Sequence, residues 1–312
     1  MRYARFAVVL FLGVVVGTLQ GGLAMDEIEL LQKEVLATQV RVRSHEAGGS
    51  GTVLYCRKLG DGMFSIFVLT CHHVVEKNIK VKVEFDTRRG RDVKKDYREA
   101  CSVEFFRYQP SGRVDGVESR QGDIMAYDQY HDMALLRVLS VAEPTGIARL
   151  LPKGKWDAVR VGEATLAAGC QLGHDPIITT GGVIAHKRTM IEHKEYSLST
   201  AATVFGSSGG AVFLAKTREF IGIPSRISIV GWSAPVYHMG YFSPVSRVFE
   251  FLDEQMFRFI YDAKHTEECC QKERDEFRRK EQERLDRQLP EARAQETPAD
   301  KDPQATIKHN AP

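Results

Sequence analysis

From Val40 to Phe242 the chain is a succession of short apolar, β-branched runs separated by Gly, Pro and Asp, and this punctuation constrains the fold more than any other feature. Runs this short, bounded by turn residues, make strands rather than long helices, and strands must pair to satisfy their backbones. Residues 51–55 and 64–70 flank the turn-rich Leu59-Gly60-Asp61-Gly62, a hairpin signal. Further strands are predicted at 79–85, 100–106, 134–139, 164–169, 177–185, 196–200, 211–214, 227–232 and 239–242. Such a pattern predicts an all-β body, a sandwich or barrel. Residues 86–98 and 110–122 are polar and read as loop-like insertions.

Both ends differ from this middle. Arg2 and Arg5 precede an apolar run over 6–19, followed by Gly21-Gly22-Leu23-Ala24 and then acidic Asp26-Glu27. Basic, apolar, small is the order of a secretory signal peptide cut after Ala24, which makes the chain exported, periplasmic or secreted. The charge-free stretch 6–25 also approaches spanning length. A membrane anchor through 6–24, with the rest outside the cytoplasm, therefore stays open, as does a start at Met25. Within 25–39, Ile28, Leu30, Leu31 and Val35 predict a short amphipathic helix. After Pro244, apolar residues at Val248, Phe251, Leu252, Met256, Phe259 and Ile260 form a helical stripe that should pack on the preceding body. A charged helical extension occupies 253–289, almost wholly Lys, Arg, Glu, Asp and Gln beyond Glu267. It is expected to be a solvated helix, with pairing between copies of the chain as the alternative. Pro290 is expected to end it, leaving a disordered tail over 290–312.

Net charge is +2 over 312 residues, so no global field points to nucleic acid as a partner. Cys56, Cys71, Cys101 and Cys170 stand singly in strand-like segments, as buried free thiols do, and Cys269-Cys270 are adjacent, where a mutual bond would be strained. There is no CxxC and no compact His/Cys cluster along the sequence, so neither metal nor cofactor is expected.

Three segments carry chemistry. Gly206-Ser207-Ser208-Gly209-Gly210 sits between apolar runs. A serine hydroxyl attacks only when a base takes its proton and N–H groups accept the developing oxyanion. Flanking glycines let the backbone turn sharply and present those amides. Thr70-Cys71-His72-His73-Val74-Val75 closes an apolar strand with two adjacent imidazoles. His131-Asp132-Met133-Ala134-Leu135-Leu136 puts a carboxylate at the mouth of a core strand, where it can cap a loop or meet an imidazole N–H; Asp123 and Asp128 lack the apolar run directly after them.

Together these segments resemble trypsin-like serine peptidases. Thr70–Val75 is similar to their T-A-x-H-V-V motif, which selects His73 over His72; Asp132–Leu136 resembles D-x-A-L-L; Gly206–Gly210 resembles G-N/D-S-G-G, with Ser208 as nucleophile. The HtrA-like branch is most similar, through Gly49-Ser50-Gly51-Thr52-Val53, the 169–184 stretch, Thr200-Ala201-Ala202 and Tyr241-Phe242-Ser243-Pro244. The resemblance implies two packed six-stranded antiparallel β-barrels within a peptidase domain over 40–252, barrel one about 40–145 and barrel two about 146–245. It implies a His73–Asp132–Ser208 triad, an oxyanion hole from the Gly206 and Ser208 amides, and protein or peptide as substrate. Thr200, Ala201 and Ala202 would approach the specificity pocket, and the absence of an acid there predicts small or aliphatic side chains. Ser207 departs from Asn or Asp, Ala211 from Pro, and Cys71 from a small residue. No second folded domain, of the peptide-binding kind many HtrA-like proteins carry, is expected after the barrels. A catalytically inactive binding or scaffold protein on the same fold, acting through the cleft or the charged helix, is the alternative.

Overall fold

In the computed structural model, residues 20–87, 90–230 and 234–295 are described. The apolar runs become strands. The first half contains β1 (Gln39–Arg43), β2 (Gly48–Lys58), β3 (Phe64–Thr70), β4 (Ile79–Asp86), β5 (Arg91–Arg98), β6 (Cys101–Tyr108), β7 (Val114–Asp128) and β8 (Met133–Ser140). The second half contains β9 (Ala164–Gly169), β10 (Ile177–Ile191), β11 (Lys194–Ser199), β12 (Ala211–Leu214), β13 (Phe220–Val230) and β14 (Ala234–Pro244). They close into two antiparallel barrels of six strands, ordered β1-β2-β3-β8-β7-β6 and β10-β11-β14-β13-β12-β9, with β4-β5 standing apart as a hairpin. Closure leaves no unpaired sheet edge to solvent in either barrel. The all-β double-barrel expectation holds.

Each barrel fills its own interior, with Val42, Val53, Ile66, Val103 and Leu136 in the first and Leu166, Ile184, Phe213, Phe220 and Phe242 in the second. Burying each such side chain stabilises the fold by about 1.5–3 kcal/mol relative to exposure. The predicted C-terminal stripe ties the halves together. It splits into α3 (Val245–Glu254) and a 3-10 turn over Arg258–Ile260, because Met256 takes a left-handed φ of 58° between them. Phe257 and Phe259 then reach the first barrel, with ring centroids 6.0 and 5.1 Å from Phe67. That contact explains why β3 is buried along nearly its whole length rather than on alternate residues.

Several expectations are corrected. The supposed insertion over 86–98 is mostly β5, paired with β4 from Ile79↔Arg98 to Asp86↔Arg91. Polar cross-strand partners hold this exposed hairpin: Glu84 accepts from Lys95 at 2.8 Å and from Tyr97 at 2.6 Å. The supposed insertion over 110–122 belongs largely to β7, which pairs with β6 before continuing to β8. Its first part presents mainly polar residues to solvent, and Gly122, Ile124 and Ala126 towards its end are buried. The amphipathic helix begins earlier than expected, as α1 (Gln20–Glu34). A short helical turn, α2 (His72–Val75), follows β3.

The charged helix, α4 (Glu267–Gln295), continues through Pro290 instead of ending there. Its start is not solvated. Cys270 and Arg274 are buried, and Glu267 pairs with Arg57 at 3.1 Å and Arg137 at 3.5 Å on the first barrel. All six cysteines are free, and Cys270 is buried while Cys269 is exposed. Among the described residues, no helix is long and apolar enough to cross a membrane. Residues 1–19 of the leader expected over 1–24, Gly231 and Trp232 of the expected 227–232 strand, and the tail beyond 295 lie outside the described residues.

Candidate active site

The turn α2 is fixed by burial: Val74 and Val75 enter the core, and Val74 N–H donates to the Cys71 carbonyl at 3.2 Å. The two histidines therefore face different surroundings. His72 is buried against the Tyr127 ring, centroids 5.3 Å apart, and burial pushes its pKa below the usual value. His73 is half-exposed and meets Asp132, with Nδ1 2.8 Å from Oδ2 and 3.0 Å from Oδ1. The His73 backbone N–H also donates to Asp132 Oδ1 at 2.9 Å. Nδ1 engaged by the carboxylate leaves Nε2 as the ring nitrogen free for other partners.

Asp132 has a left-handed φ of 58°, a conformation Asp tolerates better than most residues, at the last position before β8. Asp128 shapes the turn that leads there, accepting from the His131 N–H at 3.0 Å and holding its ring at 2.6 Å. Asp128 is thus occupied locally and Asp132 faces the imidazole. Cys71 sits behind them, fully buried, its Sγ–H donating to the Pro224 carbonyl of β13 at 3.3 Å. Burial, with Asp132 beside it, drives its thiol pKa well up and keeps it neutral. The Cys71 departure is therefore a barrel-to-barrel contact.

Gly206–Gly210 forms a tight loop between β11 and β12. Gly206 and Gly209 have φ of +90° and +85°, which L side chains rarely adopt. A Cβ at Gly209 would stand 2.2 Å from the Ser50 carbonyl oxygen, so no side chain fits. Ser207 is buried, and its Oγ accepts from the Val204 N–H at 3.1 Å. The amides of Ser207, Gly209 and Gly210 are all bonded within the fold, whereas those of Gly206 and Ser208 have no partner among the described residues. The Phe205 carbonyl accepts from Leu172 N–H at 2.7 Å. In a trans peptide the following N–H points the opposite way, so the Gly206 amide is directed away from Leu172.

Ser50 of β2, read in the sequence only as part of a glycine-rich strand, joins this loop to the first barrel. Its N–H donates to the Ser208 carbonyl at 2.8 Å, its Oγ donates to the Gly206 carbonyl at 2.6 Å, and its Oγ accepts from Cys170 N–H at 2.7 Å. Its own carbonyl accepts from Thr70 Oγ1 at 2.7 Å, two residues before His72.

His73 and Ser208 line one cleft of about 310 Å³ between the barrels, together with Thr203, Phe205 and Arg226. They are not hydrogen-bonded to each other, a looseness common in unliganded sites. The three residues expected at the specificity pocket directly precede Thr203, Val204 and Phe205 of the cleft lining in the chain. Ala201 is buried, Thr200 Oγ1 accepts from Val183 N–H at 2.9 Å, and the Ala202 carbonyl accepts from Thr179 Oγ1 at 2.8 Å. Sequence reading missed Ser50 and Arg226; the Gly-Ser-Gly spacing was a signal for the first, and nothing local marked the second. The fold also brings donor atoms of Cys71, His73 and Asp132 within 4.8 Å of one another, and likewise those of His265, Cys269 and Glu273. Both are compact groups that CxxC spacing did not foretell.

The profile of the trypsin-like peptidase domain matches residues 49–223. A probable periplasmic serine endoprotease, DegP-like, of Ectopseudomonas mendocina (strain ymp) is 33% identical over 117 residues, 37% of this chain and 23% of that protein. A protein of the same description from Pseudomonas fulva (strain 12-X) is 25% identical over 215 residues, 66% of this chain and 38% of that protein. The chain thus spans well under half the length of these relatives. Among solved structures, an HtrA-type protease AlgW with a tripeptide superposes with a TM-score of 0.51 at 18% identity, covering 73% of this chain and 62% of that one. Deg5 gives 0.50 at 20% identity, covering 75% and 94%. These likenesses show the shared fold, and the profile spanning more than half the chain shows that it belongs to the trypsin-like peptidase domain family.

Proposed function

We propose that the chain is an exported serine endopeptidase that cleaves peptide bonds through an acyl-enzyme. The observation that carries this reading is the meeting of an Asp132-paired His73 with Ser208 in one cleft, beside two unpaired amides. His73 Nε2 takes the Ser208 proton as Oγ attacks the substrate carbonyl, then returns it to the leaving amine. Asp132 holds the Nδ1–H tautomer and stabilises the imidazolium. The Gly206 and Ser208 N–H groups bind the oxyanion, an interaction whose loss typically raises the barrier by about 3–4 kcal/mol.

A small or aliphatic side chain at the attacked residue belongs to the same reading. No acidic residue stands at Thr200–Ala202 or lines the cleft. Thr203 also packs so closely over Gly240 that a Cβ there would lie 2.0 Å from its Oγ1, which limits depth. Export follows from the basic-apolar-small leader and from the periplasmic description of the relatives.

A fluorophosphonate probe tests the reading. An enzyme is labelled at Ser208, and Ser208→Ala abolishes both labelling and peptide turnover. A binding protein on this fold shows neither, and that outcome would sink the proposal.

A further inference from the structure

We infer that Arg226, with the hydroxyl of its chain neighbour Ser225, forms a carboxylate-binding subsite selecting substrates with an acidic side chain flanking the cleaved bond. The inference rests on the peptidase reading and adds a substrate class to it. Both residues line the cleft that holds His73 and Ser208. Arg226 is the one permanent charge among its lining residues, and no Asp or Glu is among them. The buried Ser225 Oγ has no hydrogen-bond partner. Buried hydroxyls normally find partners, so this orphan in the cleft wall is left for a group that enters it. A guanidinium offers only donors, and the hydroxyl supplies one more. The ligand that satisfies such a set is an acceptor with negative charge, and a carboxylate meets both conditions.

The fold already shows that a carboxylate fits Arg226. Glu192 Oε2 lies 2.6 Å from its Nη2. Glu192 comes from the tip of the β10–β11 hairpin, where it and His193 hold left-handed φ of 51° and 63°. The guanidinium is kept in place by the Tyr196 ring, 5.4 Å beneath it. The Glu192 side chain is two-thirds exposed, and ion pairs this exposed are weak, so a substrate carboxylate can take its place. Glu192 is then a competitor that moderates the preference. The small or aliphatic preference concerns the attacked residue; the acidic side chain sits on a neighbouring one, within reach of β13.

The experiment uses Ser208→Ala protein, so that binding is read without turnover. Fluorescent peptides carry Glu or Asp, or their amide counterparts Gln or Asn, at each of the three residues preceding a small residue, and affinity is read by anisotropy. At one of these positions the acidic peptide should bind about tenfold better than its amide partner, the size of one charge-assisted hydrogen bond. Arg226→Ala should bring that ratio to about one, Arg226→Glu should favour Lys peptides instead, and Glu192→Gln should raise the acidic ratio. Equal binding of acidic and amide peptides, or a ratio that survives Arg226→Ala, would overturn the subsite. Absence of turnover in the wild-type chain, with the acidic ratio intact, would overturn the peptidase reading and leave the subsite standing.

Discussion

The two barrels contribute to the cleft in opposite ways. The first supplies side chains whose hydrogen bonds are already made: Asp132 accepts from both the ring and the backbone of His73, and Asp128 closes the preceding turn on His131. The second supplies groups left unsatisfied, namely the Gly206 and Ser208 amides and the Thr203 and Ser225 hydroxyls. A proton-transfer pair needs a fixed tautomer, which internal bonds provide. A surface that receives substrate needs open donors, which only a rigid surround can keep open without collapse. Ser50 links the two arrangements, because a residue of the first barrel holds the unsatisfied loop of the second.

The comparison breaks most severely at the reacting groups. Ser208→Ala or His73→Ala should each lower kcat by about a millionfold and Asp132→Asn by about ten-thousandfold, as in other serine peptidases, with thermal unfolding confirming that each variant folds. His72→Asn should keep turnover, and loss there comparable to His73→Ala would assign the base wrongly. On the second barrel, Gly206→Ala places a Cβ 2.6 Å from the Cys170 carbonyl oxygen at a φ of +90°. It should tilt the loop amides and reduce kcat about 100- to 1000-fold with little change in KM.

Ser50→Ala tests the link itself. It removes the donor to the Gly206 carbonyl and the acceptor for the Cys170 amide. Loss of about 1–3 kcal/mol in chemical denaturation, together with reduced kcat, is expected. A stability loss with unaltered turnover would show that the second barrel holds its loop alone. The smallest effect concerns His72. Burial lowers its folded pKa, so the unfolded chain binds the proton more readily. Its contribution to stability is complete above about pH 6.5, the unfolded value, and diminishes as pH falls below it. Urea midpoints of wild type and His72→Asn should diverge least in acid and most near neutral pH.

Legibility in the sequence followed how local the physics was. Strands β3, β9 and β12 were read to the residue because mainly apolar runs bounded by turn residues specify them without reference to partners. Strands β5 and β7 were misread as loops. Their residues are polar because one face meets solvent, and only the neighbouring strand makes them extended. The resemblance pointed to Thr200–Ala202 for specificity, and the next three residues, Thr203–Phe205, line the cleft.

The sequence by itself determined an all-β body, and its resemblance to trypsin-like serine peptidases pointed to the double barrel and to the serine, histidine and aspartate to examine. Only the tertiary structure decided the rest: that Asp132 meets His73 while Asp128 is spent on its own turn, that Ser50 supports the Gly206–Gly210 loop across 156 positions of chain, and that Arg226 stands in the cleft. These depend on groups distant in sequence arriving within hydrogen-bond reach. Barrel closure and packing set that proximity, and no local pattern encodes it.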